Sequence, residues 1–143
     1  MRLNSLDHCS IRTVKLDDTR AFYTNILGMD DGDRPDFPFP GAWLYIDGVA
    51  VLHLVGVDPN DPSGLKKYLG GATDAASLNG SGAFDHIAFR AKDPDLLLSR
   101  LRDKGYPYRE RQVPEMDLFQ VFVEDPNGIT VELNYWAEDQ KAA

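Results

Sequence analysis

The sequence predicts an α+β protein built from two βαβββ modules, and two observations predict it. The first is an internal repeat. Asp7-His8 recurs as Asp85-His86, and Arg12 recurs as Arg90, in both cases 78 residues on. Tyr45-Ile46-Asp47 returns loosely as Val123-Glu124-Asp125, and His53 is replaced by Glu132 at an offset of 79. The second is where the histidines fall. All 3 lie in short runs that read as strands: 6–11, 50–55 and 84–89. A fourth run, 129–134, carries Glu132 instead. Strand side chains alternate between faces. Ile87 and Phe89 therefore share one face and leave His86, Ala88 and Arg90 on the other. Val131 and Leu133 likewise leave Thr130, Glu132 and Asn134 opposite. Three imidazoles and one carboxylate suit a divalent transition metal.

The elements of the first module follow in order. A strand is expected near 6–13. Asp17-Asp18-Thr19 opens a helix, with carboxylates at the positive end of its dipole. Leu16, Phe22, Tyr23, Ile26 and Leu27 form its apolar face, and Gly28 stops it. A short strand is expected around 29–32. Pro35, Pro38 and Pro40 make the next stretch a loop, because proline lacks the ladder donor. Strands near 42–47 and 49–57 meet at Asp47-Gly48, a hairpin signal.

The second module repeats that order. A strand near 84–91 leads to Asp93-Pro94, a cap followed by a proline in the first helical position. Leu97, Leu98 and Leu101 supply the stripe, and Lys104-Gly105 ends the helix. Strands near 107–112, 118–124 and 129–135 complete the module, the last two joined by the turn Asp125-Pro126-Asn127-Gly128. The expected organisation is a single domain over 1–143, with module 1 at about 3–57, a linker at 58–82 and module 2 at about 83–136. The linker is long for a structureless connection. Residues 63–69 are read as one or two helical turns in a segment that either covers the site or only joins the modules.

Bulk properties narrow the function. The 143 residues suffice for one core, and 43% hydrophobic with 27% charged residues is a globular composition. A formal charge of −8 argues against nucleic acid or an anionic membrane surface as partner. The single cysteine allows no intrachain disulfide, and no run is long enough to cross a bilayer. The expected location is the cytoplasm.

These residues resemble the vicinal oxygen chelate superfamily, which includes glyoxalase I, methylmalonyl-CoA epimerase, fosfomycin-inactivating thiol transferases, type I extradiol dioxygenases and bleomycin-binding proteins. The resemblance rests on Leu6-Asp7-His8, on Thr19 to Tyr23 leading to Leu27-Gly28-Met29, on Phe84 to Phe89, and on Val123 to Leu133. It spans nearly the whole chain. It implies that the paired modules form a curved, cup-shaped mixed sheet with helices on the outside. It also implies metal ligands on the first and last strands of each module, positions held here by His8, His53, His86 and Glu132. Glyoxalase I usually carries a carboxylate where this chain has His53, and the epimerase a glutamine. For two-module chains the resemblance implies a homodimer.

The expected site therefore has one divalent metal (zinc, nickel, cobalt, manganese or iron) on His8, His86 and Glu132, with His53 as ligand or base. Four closed ligands would suit a structural zinc, so turnover needs a larger coordination number or a His53 that moves. His53 and Glu132 are the candidate bases. Arg12 and Arg90 share the histidine face and either bind an anionic substrate or neutralise nearby acids. Asn134 and Ser10 share that face too. Cys9 points the other way and is read as a packed small residue. The stiff aromatic stretch 34–45 is expected to wall a pocket, with Phe39 and Trp43 foremost. The function expected first is a glyoxalase-type lyase or isomerase that stabilises an enediolate of a small oxygenated, possibly aromatic, metabolite. The alternatives are an iron-dependent ring-cleaving dioxygenase and a non-catalytic binder of a hydrophobic compound.

Overall fold

In a computed structural model, described for residues 1–141, each half of the repeat builds one open, four-stranded mixed sheet. The chain divides into two units, Met1–Leu78 and Asn79–Ala143. The fold is α+β, with a βαβββ module in each unit.

The first unit runs β1 (Cys9–Thr13), α1 (Leu16–Ala21), β2 (Asp30–Gly32), β3 (Gly41–Ile46), β4 (Val49–Gly56) and α2 (Ser63–Tyr68). Its strand order is β1-β4-β3-β2. β1 lies parallel to β4, and the other pairs are antiparallel. The register sorts the side chains onto two faces. Ile11 pairs with Leu54, Leu54 with Ala42, and Leu52 with Leu44. These residues are buried, as are Phe22, Tyr23 and Ile26 beyond α1. The opposite face carries Ser10, His53 and Trp43 in register. α1 starts on a threonine pair rather than on a capping carboxylate. Thr19 Oγ1 donates to the Lys15 carbonyl at 2.7 Å, and the Lys15 amide donates to Thr13 Oγ1 at 2.8 Å. The helix then widens into a π-turn over Phe22–Ile26, where the Leu27 amide reaches back to the Phe22 carbonyl at 3.2 Å. The Thr24 hydroxyl takes the Arg20 carbonyl at 2.9 Å inside that turn.

The second unit runs β5 (His86–Arg90), α3 (Pro94–Lys104), β6 (Tyr108–Val113), β7 (Leu118–Glu124) and β8 (Thr130–Trp136), in sheet order β5-β8-β7-β6. Asp93 caps α3 by accepting from the Leu96 amide at 3.2 Å. Leu97, Leu98 and Leu101 are buried, as are Val121, Val123, Val131 and Leu133 on the matching sheet face. The other face holds Glu132 opposite Phe122, and Asn134 opposite Gln120. Each sheet thus has its module's first strand, β1 or β5, at one edge.

Two expectations change in detail. The first strand begins at Cys9, so His8 stands just ahead of it rather than inside it. The segment 58–78 is no bare linker. α2 is anchored by Leu65, which packs with Val55 and Val57, and Phe39 and Leu78 lie against that cluster. Among the described residues no helix is long and apolar enough to cross a membrane.

Candidate active site

Each unit brings together the two metal-type side chains that the repeat assigns to it. In the second unit, β5 and β8 are parallel neighbours. His86 Nε2 lies 3.2 Å from Glu132 Oε2. The other ring nitrogen, Nδ1, lies 2.6 Å from Asp85 Oδ2. The Asp85 hydrogen bond, aided by the Glu132 charge, holds the His86 pKa above the ordinary imidazole value. Glu132 is buried, and its second oxygen, Oε1, accepts from Gln120 Nε2 at 2.9 Å. Gln120 also donates to Asn134 Oδ1 at 3.0 Å. The carboxylate is thereby held at both ends, by an imidazole and by an amide.

In the first unit, His8 Nδ1 lies 2.5 Å from Asp7 Oδ2, the same arrangement one repeat earlier. His53 sits between two rings. Its centroid is 3.8 Å from that of His8 with 15° between planes, and 4.1 Å from that of Trp43 with 9°. Burial pushes the His53 pKa down, and the neighbouring His8 adds to the shift. A hydrogen bond to the Ala50 backbone and the Asp7 charge act the other way. His53 is therefore inclined to be neutral where His86 is inclined to be charged.

His8 and His53 open onto a cavity of about 410 Å³ in the first unit. His8, Ser10 and His53 form one side of it, Phe37, Phe39, Trp43 and Tyr68 supply aromatic walls, and Arg12 and Arg34 contribute the cations. This is the size and composition of a small-molecule site, mostly apolar with a few placed polar groups.

A family model described as Glyoxalase/Bleomycin resistance protein/Dioxygenase superfamily matches residues 5–133. The chain belongs to this superfamily. Among similar members, Glyoxylase I 4 of Arabidopsis thaliana is 28% identical over 136 residues, which cover 93% of this chain and 71% of that protein. A probable lactoylglutathione lyase of Synechocystis sp. is 32% identical over 129 residues, covering 88% and 91% of the two chains. The fold is also that of a glyoxylase/bleomycin resistance protein/dioxygenase domain from Frankia sp., with a TM-score of 0.66, 22% identity, and 93% and 92% of the chains covered.

Within this superfamily member, the predicted site residues are distributed as follows. His8 meets His53, and His86 meets Glu132. Among the described residues no cluster of three or more His, Cys, Asp or Glu side chains is assembled for a metal. The donor chemistry of each pair nonetheless fits one. A metal-ligating histidine characteristically gives its second nitrogen to a carboxylate, which fixes ring orientation and basicity. Asp7 and Asp85 stand in that place for His8 and His86. Phe39 and Trp43 line the cavity. Arg90 is engaged by Asp139 at 2.7 Å and Glu138 at 2.5 Å. Arg12 instead donates to the Gly70 and Ala72 carbonyls. The Asn134 amide oxygen is taken by Gln120.

Sequence reasoning overlooked Gln120 and Tyr68, while Arg34 heads the stretch 34–45 already expected to wall the pocket. Gln120 had a signal: it is the one amide in an apolar run, on the face that register gives to Glu132 and Asn134. Tyr68 had none, because its place depends on how α2 folds back.

Proposed function

We propose that this protein is a metal-dependent enzyme of the glyoxalase type, acting on a small oxygenated metabolite. In this reading His8, His86 and Glu132 hold one divalent ion, and His53 stands beside it as the general base. The observation that carries the reading is the repeated pairing of metal-type donors with backing carboxylates, Asp7 to His8 and Asp85 to His86. The relatives named as glyoxylase and lactoylglutathione lyase support the reaction class.

The stacking in the first unit supports His53 as base rather than ligand. Imidazole lone pairs lie in the ring plane. Rings stacked at 3.8 Å and within 15° aim those lone pairs along separate, nearly parallel planes. As stacked, the two imidazoles do not aim their lone pairs at one point. One histidine ligates, and the other remains free to take a proton. His53 is the better base, because its lowered pKa keeps the ring neutral. The metal supplies Lewis acidity at substrate oxygens. His53 removes the proton, Trp43 holds the orientation of its ring by stacking on it, and Gln120 fixes the carboxylate of Glu132.

The same observation favours a second reading. With His53 set aside, two histidines and one carboxylate are the ligand set of non-haem iron oxygenases. Oxygen consumption separates the two: turnover of an oxygenated carbon acid without oxygen uptake supports the lyase or isomerase, and stoichiometric uptake replaces it with the dioxygenase. A cytoplasmic location and a homodimer complete the proposal.

A further inference from the structure

We propose that the cavity of the first unit selects a planar aromatic compound bearing an acidic group, with the ring in the aromatic slot and the acid at Arg34 and Arg12. The inference rests on the proposed function only in taking this ligand to be the substrate. The binding it describes uses residues of the first unit alone.

The charge balance is the first observation. The chain has 23 acidic residues against 15 lysines and arginines, so an arginine without an acid beside it goes against the odds. Arg90 follows the odds and binds both Glu138 and Asp139. Its repeat partner Arg12 does not. Among the described residues it has no carboxylate within ion-pair distance, and Nη1 donates only to main-chain carbonyls. Arg34 is in the same position. Its Nη2 donates to the Phe39 carbonyl at 2.8 Å, and its charge is answered by ring faces, with Cζ 5.0 Å from the Phe37 centroid and 5.2 Å from that of Phe39. Burial holds the Arg34 pKa below its ordinary value, although Asp36 pulls it up. Both guanidiniums line the cavity with most of their N–H donors uncommitted.

Gly71 leaves room for Arg12: a Cβ there would lie 2.8 Å from Arg12 Nη1. At Gly41 a Cβ would first meet the Leu54 carbonyl, and it would lie 2.9 Å from Arg34 Nε and Nη2.

The rings define the other half of the ligand. Phe37 and Phe39 are parallel within 5° at 5.4 Å, and Tyr68 stands 5.4 Å from Phe37 and 5.7 Å from Phe39. Trp43 closes the row toward His53. Tyr68 is 55% exposed, so this is not a sealed core. It is an aromatic cluster reachable from solvent, with ring surface that a flat guest can contact. A guanidinium lying on those rings is well placed for a carboxylate, which it meets with paired N–H donors.

The test uses three probes of matched size on the full-length protein: 2-naphthoate, the neutral 2-naphthamide and the non-aromatic decahydronaphthalene-2-carboxylate. Binding is measured by calorimetry before and after metal removal with a chelator. The expected result in metal-stripped protein is saturable binding of 2-naphthoate about tenfold or more tighter than of either control, the scale of a charge-assisted hydrogen bond. Arg34→Gln should abolish the preference for naphthoate over naphthamide while naphthamide still binds, and Arg34→Lys should restore part of it. Equal binding of naphthoate and naphthamide by the unmodified protein overturns the inference without any variant. So does the absence of saturable binding by all three probes, as expected if the rings are buried in a contact between chains. A preference that appears only with metal and survives Arg34→Gln and Arg12→Gln also overturns it, and leaves the metal-dependent reading standing. The arginine-dependent preference in a protein that takes up no metal supports the inference and removes that reading.

Discussion

Replacing Gln120 by methionine removes one hydrogen-bond donor from behind Glu132 at nearly constant volume. In the native protein Gln120 Nε2 serves two acceptors, Glu132 Oε1 at 2.9 Å and Asn134 Oδ1 at 3.0 Å. Both acceptors lose this donor in the variant, and Glu132 is buried, so water cannot freely replace it. A hydrogen bond to a charged group contributes roughly 1.5–3 kcal/mol. The freed oxygen becomes more basic, which favours metal, but the carboxylate also loses the partner that orients it. Loss of such outer partners typically weakens metal affinity about 10–100-fold, or roughly 1.4–2.7 kcal/mol. The assay is a competitive titration of zinc and manganese into chelator-treated protein, alongside urea denaturation of the same metal-free sample. The expectation is weaker metal binding by that factor and a metal-free stability loss of about 1–3 kcal/mol. Affinity unchanged within about twofold, with stability reduced, would show that Gln120 serves the fold and not the metal.

His53→Gln should keep the metal and lower kcat by roughly two to four orders of magnitude, the share of a general base. Wild-type turnover in that variant would make His53 a spectator. In metal-free protein, NMR titration should find His86 protonating above the ordinary histidine value and His53 below it. The sign follows from partners: Asp85 favours the charged form of His86, so protons compete with metal there, and uptake should weaken as pH falls through the raised His86 pKa. Asp85→Asn should bring the His86 value down, and the reverse order of the two histidines would contradict the geometry. Sedimentation should give a homodimer, because β1 and β5 each lie at a sheet edge that natural proteins pair or cover. A mass of 16.0 kDa at micromolar concentration, that of one chain, would refute this.

The fold was legible because its signals are local. The Asp93-Pro94 helix start and the Asp47-Gly48 hairpin each act within a few residues, and the elements they mark formed there, while the repeat of Asp7-His8 as Asp85-His86 carried the order of one module over to the other. Strand alternation also put Glu132 and Asn134 on one face, where Gln120 bonds both. The rest depended on contacts distant in sequence. Whether Arg12 or Arg90 would find an acid turned on Glu138 and Asp139 lying near one and Gly70 near the other, which spacing cannot encode. The helical turns read at 63–69 formed as α2, but the polar composition of 58–78 did not show that a single buried leucine, Leu65, anchors them against Val55 and Val57. The widening of α1 into a π-turn left no mark in its apolar period.

The central claim is that repeat-related donors from both modules hold one divalent metal. The most direct test is metal content by mass spectrometry, on wild-type protein and His86→Ala purified identically, with folding checked by circular dichroism. The account predicts one equivalent per chain in the wild type and a small fraction of that in a folded His86→Ala. A full equivalent retained by the folded variant, or none taken up by the wild type after equilibration with zinc, manganese, nickel, cobalt and ferrous iron, would contradict it.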